Sequence, residues 1–203
     1  MTTHSNLHGI FRALRFHHTF FCRVLAGALL LIGGFWGCGG TDPPPPIMTL
    51  GLTLGTIDMR TFGDARWVDL NDGQTVELSP GAQGGFHIWL LFRVAGNQET
   101  RRLRLERIAD RIGDGDSRQR VLTSTTSVEV PAMESWELPA PIPSFMCPTP
   151  IAVNILDAPL EMLVRLSVLD TEEVLAERTV RVQPACPPVG DSQYAFCMNI
   201  CKG

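Results

Sequence analysis

The sequence is poor in the side chains that enzymes use for proton transfer and covalent chemistry. It has one lysine, Lys202, one tyrosine, Tyr194, and five histidines, of which His4, His8, His17 and His18 crowd the N-terminus. Beyond them only His87 remains. A zinc site built on several histidines therefore has no ligand set in the rest of the chain. A serine triad would have to use His87, and no Gly-x-Ser-x-Gly elbow accompanies it. Neither a phosphate-binding loop nor a glycine-rich dinucleotide fingerprint occurs. Basic charge is short as well: 17 Lys+Arg against 21 Asp+Glu gives −4, without the excess that a nucleic-acid surface needs. No apolar run reaches the ~20 residues of a membrane span. No internal repeat is visible, and no long segment has the 3.6-residue period of a helix.

Two features organise the N-terminus. Residues 1–23 contain Arg12, Arg15 and Arg23 and no acid, and Val24–Trp36 is a run of thirteen uncharged residues. A basic stretch followed by a short apolar run is the pattern of an export signal. Gly37-Cys38-Gly39-Gly40 follows at once. Here the chain resembles bacterial lipoprotein signal peptides, although Phe35 and Trp36 depart from the usual lipobox. The resemblance implies removal of residues 1–37 and a diacylglycerol on the Cys38 thiol. Gly39 rather than Asp after that cysteine implies sorting to the outer membrane. Residues 38–46, ending in Pro43–Pro46, have no apolar face and read as a stiff tether.

The expected organisation is therefore a signal over 1–37, a tether over 38–46, a folded domain over 47–185 and a cysteine-rich tail over 186–203. Losing Arg12, Arg15 and Arg23 leaves 14 basic against 21 acidic residues, a balance of −7. Cys147, Cys186, Cys197 and Cys201 remain beside Cys38. An even number in an oxidising compartment implies two disulfides. Asp191 or Ser192 is placed to cap a short helix over Gln193–Cys201. On a helix Cys197 and Cys201 share a face and pair elsewhere. That removes one of three connectivities, and of the two left Cys186–Cys197 with Cys147–Cys201 is the expectation.

The domain itself has period two. Met48, Leu50, Leu52 and Leu54 alternate with polar or small residues. Trp67–Leu70 and Gln74–Leu78 flank Asn71-Asp72-Gly73, which predicts a hairpin with Val68 opposite Val76. Gly85–Ala95 is apolar on both faces and predicts a central strand. Further strands are expected over Arg101–Ala109, Val121–Thr125, Ser127–Glu137, Leu160–Val168 and Val174–Val182. Leu138–Pro159, with six prolines, reads as an irregular crossing. The fold class is all-β: an antiparallel immunoglobulin-like or fibronectin-like sandwich with a disulfide-stapled C-terminal tail.

Gly81-Ala-Gln-Gly-Gly-Phe-His-Ile-Trp89 is the most distinctive stretch. It resembles a Gly-x-Gln-Gly-Gly-aromatic-His-x-Trp segment of uncharacterised predicted lipoproteins of myxobacteria-like organisms, which brings no activity with it. Gln83, His87 and Trp89 are candidate binding residues. The structural expectation for His87 is a buried imidazole whose nitrogens bond backbone groups or Gln83. Arg101, Arg102 and Arg104 open a basic stretch interleaved with acids, either a charge-laced hairpin or a dock for acidic glycans and phosphates. Asp110, Asp114 and Asp116 lack the spacing of a calcium loop. With Asp64 and Asp69 they read as solvated carboxylates. No metal or cofactor is expected.

These features imply a lipid-anchored envelope protein with a non-catalytic binding or structural role. An envelope protein or glycan is the expected partner, with no nucleic acid. The alternative is an accessory subunit or divergent hydrolase using His87 and nearby carboxylates. Replacing Cys38 by Ser should move the protein from the membrane to the soluble fraction and block processing. Unchanged retention on fractionation would reject the lipid anchor.

Overall fold

A computed structural model of the protein describes residues 49–57 and 66–203. The signal, Cys38, the tether, Met48 and Asp64 lie outside the described residues. Strand β1 (Gly51–Ile57) continues the alternation of Leu50, Leu52 and Leu54 and buries Leu50 and Leu54. After β2 (Trp67–Asp69) the chain turns at Asn71-Asp72-Gly73, with Gly73 at φ +77°, into β3 (Gln74–Glu77).

The turn is present but the predicted hairpin is not. β2 pairs antiparallel with β1, whereas β3 pairs parallel with a strand near the C-terminus, β11, described below. The turn is a corner between two sheets. Leu70, Val76 and Leu78 are all buried there, more apolar surface than one face of an isolated hairpin would cover. The Asp72 carboxylate accepts from the Arg181 N–H at 2.8 Å, and Gly73 N–H donates to Arg181 O at 2.7 Å. These bonds hold the corner against β11.

A two-residue strand, β4 (Ser79–Pro80), leads into β5 (Phe86–Asn97). Phe86, Ile88, Leu90, Phe92 and Val94 are fully buried, as the alternation predicts. β6 (Arg101–Ile112) and β7 (Arg118–Val130) form a long antiparallel hairpin closed through Gly113–Ser117, with Gly115 at φ +62°. β7 is unbroken where a gap was expected at Thr126. It is the outermost strand of its sheet, so its exposed Ser and Thr residues reflect solvent at an edge rather than a turn. The break comes instead at Pro131, before β8 (Met133–Glu137). The buried Asn97 amide donates to Val130 O at 3.1 Å and Pro131 O at 2.6 Å, fixing this second corner.

The proline-rich crossing contains a strand that the sequence reading left out, β9 (Ile142–Cys147). It pairs with β5 along one edge only, so Pro143 breaks no ladder on both sides. β10 (Leu160–Val168) and β11 (Val174–Ala185) complete the strands, followed by α1 (Tyr194–Cys201).

In one sheet β2 pairs with β1, and β5 pairs with β1, β4, β8 and β9. The other runs β3-β11-β10-β6-β7. The core is the layer between them, where Phe86, Phe92 and Met146 share one cluster with Leu103, Leu105, Leu160, Met162 and Val164. This is an all-β two-sheet sandwich, antiparallel except where β3 joins β11.

The tail is stapled by Cys147–Cys201 and Cys186–Cys197. A register shift between Phe86 and His87 sets Cys147 beside inward-facing Phe86, so a bulge in β9 turns Cys147 into the interior toward Cys201. Ile155 N–H donates to Cys201 O at 3.1 Å, and the Phe196 and Phe86 rings lie 5.8 Å apart. The two bridges span 54 and 11 residues. On chain entropy, removing the longer one as Cys147→Ala/Cys201→Ala should cost about 4 kcal/mol and the shorter about 3 kcal/mol. Urea unfolding of the two double variants checks this order. Equal or reversed losses would contradict it.

Candidate functional site

The bulge that buries Cys147 leaves Phe145 and Pro143 on the outer face of the first sheet. There His87 stands opposite Phe145, and Trp89 opposite Pro143. Cross-strand neighbours are about 5 Å apart, and alternate residues on one strand about 6.7 Å apart. The result is a two-by-two array of ring side chains. The loop Gly81–Gly85 and Pro80 wall one side and make a cleft of about 520 Å³.

Glycine is required in that wall by close approach. A Cβ at Gly81 would fall 2.5 Å from His87 Cε1, and one at Gly85 would overlap the Phe145 ring. Gly84, at φ +80°, makes the turn, and Gly81 N–H donates to Gly85 O at 2.7 Å. The distinctive glycines of this segment therefore serve to bring backbone against two rings.

His87 is 7% exposed and meets Trp89 edge-on, with centroids 4.8 Å apart. Burial holds its pKa below the usual histidine value, so the ring is neutral at pH 7. The hydrogen bonds expected for it are not made. Gln83 is exposed at the rim, and the imidazole has no hydrogen-bond partner among the described residues. Gly81 packs against the Cε1–Nδ1 edge of the ring. The Trp89 Nε1–H is buried and has none either. Trp89 O, by contrast, accepts from Thr56 Oγ1 at 2.7 Å.

Arg107 supports the cleft from behind. Its parity on β6 is that of Leu103, Leu105 and Ala109, so it points into the sandwich. Its guanidinium donates to Pro143 O at 2.9 Å, Ser144 Oγ at 3.1 Å and Ser124 Oγ at 2.8 Å. No carboxylate faces it among the described residues, and burial lowers its pKa.

The predicted residues thus separate. Gln83, His87 and Trp89 line one cleft, while Arg101, Arg102 and Arg104 lie on the other sheet. Arg101 pairs with Glu99, Arg104 with Glu172 at 2.7 Å, and Arg102 lies 3.4 Å from Ser127 Oγ. Arg165 bridges Glu106 and Glu177, and Glu161 joins Arg118 and Arg181. Internal acids occupy most of the charge offered for acidic glycans. Asp110, read as solvated, is buried and taken by Arg120 and Arg118. The sulfurs of Cys186, Cys197 and Cys201 lie within 4.8 Å of one another, but all are in disulfides and offer no thiolate. Pro80, Pro143, Phe145 and Arg107 are additions to the sequence reading. The alternation of Pro143 and Phe145, and the core parity of Arg107, were the available signals.

No family model and no curated protein matches the sequence. Among solved structures, a β-glucuronidase from Bacteroides uniformis superposes with a TM-score of 0.36 at 12% identity. The match covers 64% of this chain and 12% of that one, so the chain spans about an eighth of that enzyme's length.

A histidine whose folded pKa is lowered makes the folded state the poorer proton binder. Between that pKa and about 6.5 the unfolded chain holds more protons, so stability falls as pH drops through this window and levels out below it. In a variant truncated to begin at Cys38, where His87 is the sole histidine, His87→Gln should flatten that part of the profile. Urea midpoints at pH 8, 6.5 and 5 test this. Parallel profiles for the two proteins would reject it.

Proposed function

We propose that the protein is a lipid-anchored module of the bacterial cell envelope, held at the outer membrane through Cys38, that binds its ligand non-catalytically. The binding site on this reading is the cleft of His87, Trp89, Pro143 and Phe145. One observation carries it: a ring-lined cleft, in which the His87 imidazole has no hydrogen-bond partner among the described residues, opens on the outer face of a sheet, where polar residues are the rule. Two disulfides suit an oxidising compartment outside the cytoplasm. The hydrolase alternative needs a second acid, base or nucleophile beside His87. The residues lining the cleft supply no carboxylate, thiol or hydroxyl, which favours binding over turnover.

A photoreactive benzoylphenylalanine at position 145 tests the assignment in cells. It should crosslink a discrete envelope component, whereas the same group at position 102, on the other sheet, should not. Equal labelling from both positions, or crosslinking only from 102, would move the site away from the cleft.

A further inference from the structure

The edge of a sheet presents N–H and C=O groups that a further strand can take up, and native edges are blunted by short length, proline, lysine or bulges. Most edges of this sandwich follow that rule. Of the strands bonded on one side only, β2 has three residues, β3 four and β8 five. β4 has two, one of them Pro80, and β9 carries Pro143. β7 departs from the rule. It runs for thirteen residues, Arg118–Val130, at the end of the second sheet. Val121–Val130 contains no proline, no lysine and one charge, Glu129. Its one register shift comes at the start, opposite Ala109 and Asp110. No group among the described residues bonds the backbone that Val121–Glu129 turns away from β6. At about 3.3 Å per residue, the stretch offers roughly 33 Å of open edge.

The side chains along this edge match a second copy of themselves. Thr123, Thr125, Ser127 and Glu129 stand opposite Ile108, Glu106, Arg104 and Arg102 of β6, and alternate with the residues opposite core-facing Leu103 and Leu105. They form the row on the outer face. A two-fold axis normal to a sheet keeps each face on its own side, so antiparallel self-pairing sets this row against its own copy. Centred on Thr125, it puts Thr125 against Thr125 and Thr123 against Ser127. The bulge skips Val121, so the next residue of the row is Arg120, and it falls opposite Glu129 at both ends. Hydroxyl pairs and opposite charges are the cross-strand neighbours that stabilise a ladder. Glu129 is free for this role. Its carboxylate has no partner among the described residues, because Arg102 opposite it lies against Ser127 Oγ instead, at 3.4 Å. Arg120 is about half exposed and keeps Asp110 as its internal partner. Pairing over this length forms about ten main-chain hydrogen bonds, the number that an ordinary protein interface carries.

We propose that β7 is a self-association edge: two copies pair antiparallel through Val121–Val130 about a two-fold axis at Thr125, joining their second sheets into one. The cleft lies on the other sheet, so the two readings stand or fall separately. Sedimentation of the detergent-solubilised protein should show a dimer at micromolar concentration that dissociates on dilution. Thr125 is exposed, so Thr125→Lys leaves the core intact, which a melting curve verifies. It sets two ammonium groups against each other at the axis and should weaken the dimer about tenfold or more. Under mild oxidation Thr125→Cys should crosslink to itself. Thr123→Cys and Ser127→Cys should crosslink when mixed but not singly, and the unsubstituted protein should stay uncrosslinked. A monomer at every concentration, or a dimer indifferent to Thr125→Lys, would overturn the proposal. Self-crosslinking of Thr123→Cys or Ser127→Cys in place of Thr125→Cys would overturn the register. In oxidised cell envelopes, a foreign chain on Thr125→Cys with no self-crosslink would overturn the second copy as the occupant.

Discussion

The structure depends on the pairing of one strand. β5 is bonded along both edges, by β1, β4, β8 and β9. Because a strand alternates, the residues that face the core and the residues that face the cleft are fixed together. Phe86, Ile88, Leu90, Phe92 and Val94 point inward, and His87 and Trp89 outward. A slip of one residue would put the imidazole and indole into the core and five large apolar side chains outside. The register that folds the domain is thus the register that builds the cleft.

What could be read from the sequence follows from this. Alternation in β5, β6, β10 and β11 was visible because these strands bury one face completely against the opposite sheet. Part of the pairing of the four cysteines was accessible: helical spacing keeps Cys197 and Cys201 from pairing with each other, while which partner each takes was set by the bulge that turns Cys147 inward. The fate of Asn71-Asp72-Gly73 was not. A left-handed glycine reverses the chain equally well in a hairpin and in a corner between sheets, and local turn chemistry does not name the partner strand. That choice lay with the burial of Leu70, Val76 and Leu78 and with the grip of Asp72 on Arg181, both long-range. β9 was hidden by its prolines, which are costly only where both edges of a strand are bonded. His87 was correctly placed on the Trp89 face, but the close approach of Gly81 to its ring is something no periodicity encodes.

Arg107 is the least expected element of the interior. A buried guanidinium without a carboxylate is expensive, and a well-packed hydrophobe at such a site is often as stable or better. Its retention makes sense through its acceptors. Pro143 O and Ser144 Oγ belong to β9, and Ser124 Oγ to β7, so one side chain on β6 reaches both sheets at the edge where they meet. β9 has a bonded strand on one side only, and its register there is interrupted by a bulge. Three directional bonds from a rigid planar group specify its position where apolar packing alone would tolerate sliding. The Pro143–Phe145 wall inherits that position.

The two outer faces then differ in kind. On the second sheet, arginines and acids alternate across β6, β10 and β11 and satisfy one another. Such exposed pairs contribute little stability singly and leave little net field to draw in a charged partner. On the first sheet, Arg93 stacks on Trp67 at 3.9 Å and pairs with Glu137 at 2.7 Å, which neutralises the one charge on the cleft's own strand. The cleft beyond it is uncharged. On the proposed reading of the cleft as a binding site, affinity there comes from water displaced from ring faces. That is a short-range term, so discrimination rests on the shape of the ligand rather than on its charge.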